Sequence, residues 1–153
     1  MHIADILRPE SICTHVDVGS KKRALEISSE LISSQFNDLD MSTVLDNLLA
    51  RERLGSTGIG YGIAIPHCRL PNIQKAAGSL IILEQGIGFD SVDNLPVDII
   101  FTLVIPEDAT DAHLQLLATI AEVMHRKIFR DKLRQATDNL SLFNIATHHH
   151  DEY

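Results

Sequence analysis

The sequence predicts an α/β domain built on a mixed sheet. Three observations carry that prediction. Apolar stripes at helical spacing occupy residues 20–36 and 40–53 and return after residue 110. Between them lie short apolar runs of strand length, Ile63–Ile65, Gly78–Leu83 and Val97–Ile105, bounded by glycine and proline. The chain has 153 residues, 44% of them hydrophobic, which is the length of one domain with a real core. No internal repeat, low-complexity segment or linker divides it, so residues 1–153 are expected to form a single domain.

Taken in order, Ile12, Thr14, Val16 and Val18 alternate with Cys13, His15 and Asp17, the period of a short edge strand. Ser20 is placed to cap a first helix over 20–36, whose face runs Leu25, Ser28, Ile32 and Phe36. Asn37-Asp38 breaks it. A second helix over 40–53 turns Val44, Leu45, Leu48 and Leu49 to one side, and Gly55 ends it. Arg51 therefore lies in its last turn. Ile63–Ile65 reads as a buried strand that must stop at Pro66, which has no N–H to give to a ladder. His67 follows at the strand end, and Arg69-Leu70-Pro71-Asn72 reads as a turn. Gly78–Leu83 is a strand with Gly86 and Gly88 in the turn beyond it. Val97–Ile105 is nearly all apolar, so it should be central and covered on both faces, with Pro106 at its end. Thr110 or Asp111 caps a helix with the stripe Leu114, Leu117, Ile120, Ala121 and Met124, and His113 sits in its first turn. Helices over 127–136 and 139–147 complete the chain, and the tail over 148–153 is expected to fray.

Composition narrows the function. The net charge of −8 disfavours nucleic acid and anionic membrane surfaces and suits a partner with a positive face. Two cysteines, Cys13 and Cys68, make neither a disulfide framework nor a metal-type pair, which fits a reduced compartment. The start MHIADILRPE is not a signal peptide, and no apolar run approaches the ~20 residues that span a bilayer. A soluble, cytoplasmic protein without membrane insertion is the expectation.

The chemistry concentrates in residues 51–68, RERLGSTGIGYGIAIPHC. No lysine follows the glycines as in a Walker loop, and Ile63 stands where a dinucleotide fingerprint needs its third glycine. Glycines there can bring backbone N–H groups towards an anion held on His67, and Ser56 and Thr57 add two hydroxyls. An imidazole at a strand end beside such a loop sits on a rigid support with one side open, where a reactive group would be placed. An unperturbed imidazole titrates near pH 6.5, so at neutral pH one ring nitrogen is largely unprotonated. A zinc centre made from His67, Cys68 and His113 is the weaker enzyme reading, because adjacent strand residues point to opposite faces and no acidic ligand accompanies them. The histidines at 148–150 offer adventitious metal binding or the remains of a tag, and His2, His15 and His125 are scattered.

The same stretch resembles the active-site signature of the enzyme IIA domains of the bacterial phosphoenolpyruvate-dependent phosphotransferase system, of the mannitol/fructose/nitrogen-regulatory type. Gly62, Ile63, Ala64, Ile65, Pro66 and His67 carry the match, with Arg51 and Leu54 upstream, and Cys68 stands where that family often has glycine. The run from Leu48 to His67 is most similar to the nitrogen-regulatory branch. The resemblance implies a mostly five-stranded sheet with helices on both faces. It implies that His67 is the phosphoryl acceptor, as a tele-phosphohistidine, that Arg51 lies at the site, and that His113, in DAHLQLL, is a second active-site histidine; Arg53 is a weaker candidate. It implies no cofactor and no metal. It implies an HPr-like phosphohistidine protein as donor, and regulatory targets such as potassium-transport or sensor-kinase proteins. The alternatives are a sugar-specific enzyme IIA that passes phosphate to a fructose or mannitol IIB protein, and a binding regulator in which phosphorylation is vestigial.

Overall fold

The structure is a computed structural model that describes residues 1–148. After two short 3₁₀ turns, strand β1 (Ile12–Val16) runs along one edge of the sheet, paired in parallel with β5 (Ala77–Ile87). Helix α1 (Lys21–Ser33) starts as expected, with the Ser20 hydroxyl accepting the Arg23 N–H at 3.1 Å. It ends three residues early, and Phe36 leaves the helix to pack with Leu39 over the second core cluster on that face. Ser28 does not interrupt the stripe: it is buried with Ala24, Leu25, Ser29 and Ile32. Helix α2 (Met41–Arg53) is capped by the Asp40 carboxylate, which accepts from the Ser42 N–H.

Strand β6 (Val97–Pro106) is the centre of the sheet. It pairs antiparallel with β5 on one side, and in parallel with β3 (Ile63–Ala64) and β4 (His67–Leu70) on the other. A short β2 (Gly58–Gly60) pairs outside β3. Side chains alternate as the period of two requires. Ile99, Phe101, Leu103 and Ile105 face helices α3 (Asp111–Met124), α4 (Lys127–Gln135) and α5 (Asn139–Thr147), meeting Leu116, Ile120, Phe129, Leu133 and Leu142. Ile100 and Val104 face α1 and α2, meeting Leu25 in one cluster and Ile32 and Leu48 in another. The protein is a single-domain α/β fold with a mixed sheet and helices on both faces, as expected.

Three local readings are corrected. Arg69 and Leu70 are not a turn; they belong to β4, so His67 opens a strand instead of following one. The physical reason is Pro66. Its missing N–H interrupts the line of β3, but its carbonyl still accepts from the Leu103 N–H at 2.9 Å and carries the chain into renewed pairing with β6. Gly86 lies inside β5, which runs on to Ile87 through an irregularity in its pairing. In α3 the buried face uses Leu116, Ile120, Val123 and Met124, whereas Leu114 is 46% exposed. Of the tail, His148 caps α5 through its N–H to the Asn144 carbonyl, and the fraying expected for the rest concerns positions outside the described residues.

Candidate functional site

His67, Arg51 and His113 come from three different elements and line one open cavity of about 470 Å³. Strand β4 delivers His67 beside Leu103, its partner on β6. The last turn of α2 delivers Arg51, and the first turn of α3 delivers His113.

Hydrogen bonding fixes opposite tautomers in the two imidazoles. His67 Nδ1 lies 2.8 Å from the Ile65 carbonyl oxygen, an atom that can only accept. The proton is therefore on Nδ1, and Nε2 carries a bare lone pair. His113 Nδ1 accepts the Thr110 N–H at 3.2 Å, with the Thr110 hydroxyl at the same distance. Its proton is therefore on Nε2, which is a donor. One imidazole presents a nucleophile and the other an N–H. Arg51 donates one N–H to the Gly55 carbonyl at 2.9 Å, and the rest of its planar fork has no other partner among the described residues. Such a fork matches two oxygens of a phosphoryl group, which a lysine ammonium does not.

Sequence reasoning missed two polar members of the wall, Asn47 and Arg69. Asn47 was findable: with Ala50, Arg51 and Leu54 it follows helical spacing along α2. Arg69 shares a face of β4 with His67 and bonds the Glu107 carbonyl at 3.1 Å, a placement hidden as long as 69–70 read as a turn. The rest of the wall is apolar, from Leu103, Ile105 and Leu117 to the rim residues Leu114 and Leu54, the latter 84% exposed.

The glycine-rich loop behaves differently from the sequence expectation. None of residues 55–62 lines the cavity. Ser56 donates to the Phe89 carbonyl and accepts the Gly58 N–H. Thr57 donates to Glu52 through its hydroxyl and through its N–H. Glu52 is nearly buried and also holds the Lys21 ammonium at 2.7 Å. Both hydroxyls are spent on tying the loop to α2 and to the segment before β6, so they brace the site from behind. Arg53 is exposed on the last turn of α2 and stays outside the cavity.

Cys68 follows His67 and borders the same cavity, but it is buried in the core with Leu48, Leu70 and Val104. Burial pushes its thiol up to about 12, which opposes both metal ligation and nucleophilic use. Among the described residues no group of three or more His, Cys, Asp or Glu is placed to hold a metal ion. Nor, among them, is any helix long and apolar enough to cross a membrane.

An open cavity around one bare imidazole nitrogen, with donors beside it and an apolar rim, is the form of a domain that carries a group between proteins. Comparison with known proteins gives the family: the chain belongs to the phosphoenolpyruvate-dependent sugar phosphotransferase system EIIA 2 family, which it matches over residues 5–149. It is 43% identical over 146 residues to a nitrogen regulatory protein of Pseudomonas aeruginosa, covering 95% of each chain. It is 41% identical over 148 residues to that of Escherichia coli K12, covering 96% of this chain and 90% of the other. Among solved structures, nitrogen regulatory protein IIA-Ntr from Neisseria meningitidis aligns with a TM-score of 0.88 at 38% identity, over 95% of this chain and 99% of that one. IIA mannitol from E. coli shares the fold, with a TM-score of 0.74 at 17% identity over 92% and 98%. Phosphotransfer with phosphotransferase-system partners is thus the general activity of this protein.

Proposed function

We propose that the chain is a phosphocarrier of a nitrogen-regulatory phosphotransferase system, accepting a phosphoryl group on Nε2 of His67 from the phosphohistidine of an HPr-like protein. The observation that carries this reading is the His67–Ile65 hydrogen bond, which leaves Nε2 as the lone pair facing attack. In the step, Nε2 forms a bond to phosphorus while the donor's P–N bond breaks. The released pair returns to the donor imidazole, whose nitrogen takes up a proton from solvent. His67 keeps its Nδ1–H on the Ile65 carbonyl, which stabilises the cationic ring that forms. Arg51 and the Nε2–H of His113 receive the charge on the equatorial oxygens. His113 is assigned a charge-stabilising and orienting role and no covalent one.

The apolar rim supports a regulatory output as well. A phosphoryl group on His67 adds about two negative charges and three acceptor oxygens to that surface. A target that packs apolar or acidic surface over the bare imidazole is then repelled, so potassium-transport or sensor-kinase targets would bind the unphosphorylated form. The test is incubation with labelled phosphoenolpyruvate, enzyme I and HPr-like proteins of both the nitrogen and the sugar systems. Acid-labile, base-stable label on the wild type, faster from the nitrogen donor, and none on a folded His67→Ala are expected. Acid-stable label on Ser56 or Thr57 would contradict the assignment. Onward transfer to a IIB protein would place the chain in sugar uptake.

A further inference from the structure

A second surface lies at the other end of the sheet, and the chemistry described above does not use it. Five of the chain's 13 Lys and Arg fall between residues 126 and 134, where Asp131 is the single acid, although the whole chain carries −8. Three of them, Lys127, Arg130 and Arg134 of α4, line a cleft of about 490 Å³ with Tyr61, Leu95 and Pro96; Asp98 and Asp131 line it as well, and Asp131 holds the Lys127 ammonium at 2.7 Å. Tyr61 is unusual. It is 55% exposed yet fixed on every side. Its backbone is left-handed, with φ 58, a conformation that costs a bulky residue energy. Its N–H bonds Asp93 at 3.0 Å and its carbonyl accepts from Arg134 at 2.7 Å. Arg134 is itself held by both oxygens of Asp98. The Arg130 guanidinium stacks 4.6 Å from the ring centroid, and His125 meets the ring edge-on at 5.8 Å. Leu95, 56% exposed, lies across the cleft.

We propose that this cleft is a docking surface for an acidic segment of a partner protein. The segment's carboxylates meet α4, and one apolar side chain packs between Tyr61 and Leu95. The net positive charge of residues 126–134, in a chain that carries −8 as a whole, commits the surface to an acidic occupant. The exposed aliphatic and aromatic pair commits it to a polypeptide, since a nucleic-acid backbone offers no apolar side chain to bury. A rigid, solvent-facing tyrosine flanked by arginines has the composition of an interface hot spot, and its fixed geometry lowers the ordering cost of binding. Position along β6 sets it apart from the His67 cavity. Tyr61 is tied to Asp98, and His67 pairs with Leu103, five residues on, or roughly 17 Å at strand spacing. A partner here leaves the phosphoryl-transfer face open, so the protein can hold one partner while exchanging phosphate with another.

The experiment is a titration of the ¹⁵N-labelled full chain with a twelve-residue peptide of repeating Glu-Glu-Leu, in parallel with its Lys-Lys-Leu counterpart and a DNA duplex of matched charge. Expected are shifts at Tyr61, Leu95 and Lys127–Arg134 with the acidic peptide alone. Affinity should fall about tenfold in Tyr61→Asn, which tolerates the left-handed backbone, and again in Lys127→Glu. His67→Ala should bind the peptide like the wild type, so the result is independent of where phosphate goes. Absence of binding, shifts centred on the His67 cavity, wild-type affinity in both Tyr61→Asn and Lys127→Glu, or equally tight DNA binding would each overturn the proposal.

Discussion

At the scale of single residues the site works through tautomers. The account makes His113 a donor through Nε2, oriented by the Thr110 N–H on Nδ1. His113→Ala should therefore slow phosphoryl acceptance by ~10²–10³, the usual effect of removing one transition-state donor. His113→Gln, whose amide reaches the position of Nε2, should recover part of that rate, whereas His113→Asn should not. Single-turnover transfer rates decide it, and equal rates in all three variants would show that His113 has no such role. Arg51→Lys should slow transfer while leaving stability unchanged, because a point charge replaces a fork. Cys68 gives a prediction with a definite sign. Burial lets the folded thiol keep its proton up to about 12, whereas an ordinary thiol loses it near 9.0. Between those values the folded state binds the extra proton, so this contribution is full below pH 9 and declines as pH rises. Melting curves from pH 8 to 10.5 should therefore fall less steeply for Cys68→Ala than for the wild type. In the native protein at pH 8, iodoacetamide should modify Cys13 well before Cys68.

Elements explain what could be read from the sequence and what could not. Helix α1 was legible because period and cap agree, with the Ser20 hydroxyl accepting from the Arg23 N–H; α2 was legible from its apolar face, and α4 and α5 from their spans, which fall within a residue of those expected. The central place of β6 was legible from its nearly continuous apolar run. Strand β4 was not, since Arg69 is exposed, Pro71 follows at once, and a four-residue strand is held by pairing with β6 more than by its own pattern. The loop over 55–60 was assigned to the phosphate because glycines suggest backbone access. What the sequence cannot display is that Glu52, Lys21 and Phe89, distant along the chain, hold Ser56 and Thr57. That bracing yields a test. Glu52→Ala leaves Lys21 and the Thr57 N–H without their buried partner and should cost roughly 2–4 kcal/mol in urea unfolding. It should also slow transfer, because α2 ends beside the loop that Glu52 holds and Arg51 bonds the Gly55 carbonyl. Unchanged stability would mean that the loop is held by other contacts. Gly62 reports on the far end of the same segment. A Cβ there would lie 2.5 Å from Arg134 Nη2 at φ +80, so Gly62→Ala should destabilise the fold by about 1–3 kcal/mol.

For the whole molecule, the sheet serves as a rigid ruler that gathers three side chains from β4, α2 and α3 around one cavity and leaves its rim apolar. The proposed regulatory binding would use that rim. His67→Glu and His67→Asp should weaken binding of an output partner, whereas His67→Ala should preserve it, as read by calorimetric titration against one target. The central claim is narrower than any of these: phosphate goes to one atom, Nε2 of His67, because Nδ1 is committed to the Ile65 carbonyl. The measurement that tests it most directly is two-dimensional ¹⁵N correlation of histidine side chains in protein phosphorylated from phosphoenolpyruvate through enzyme I and an HPr-like donor. The account predicts a phosphorus coupling to Nε2 of His67, with Nδ1 still protonated. Phosphorus on Nδ1, or on His113 in place of His67, would contradict it.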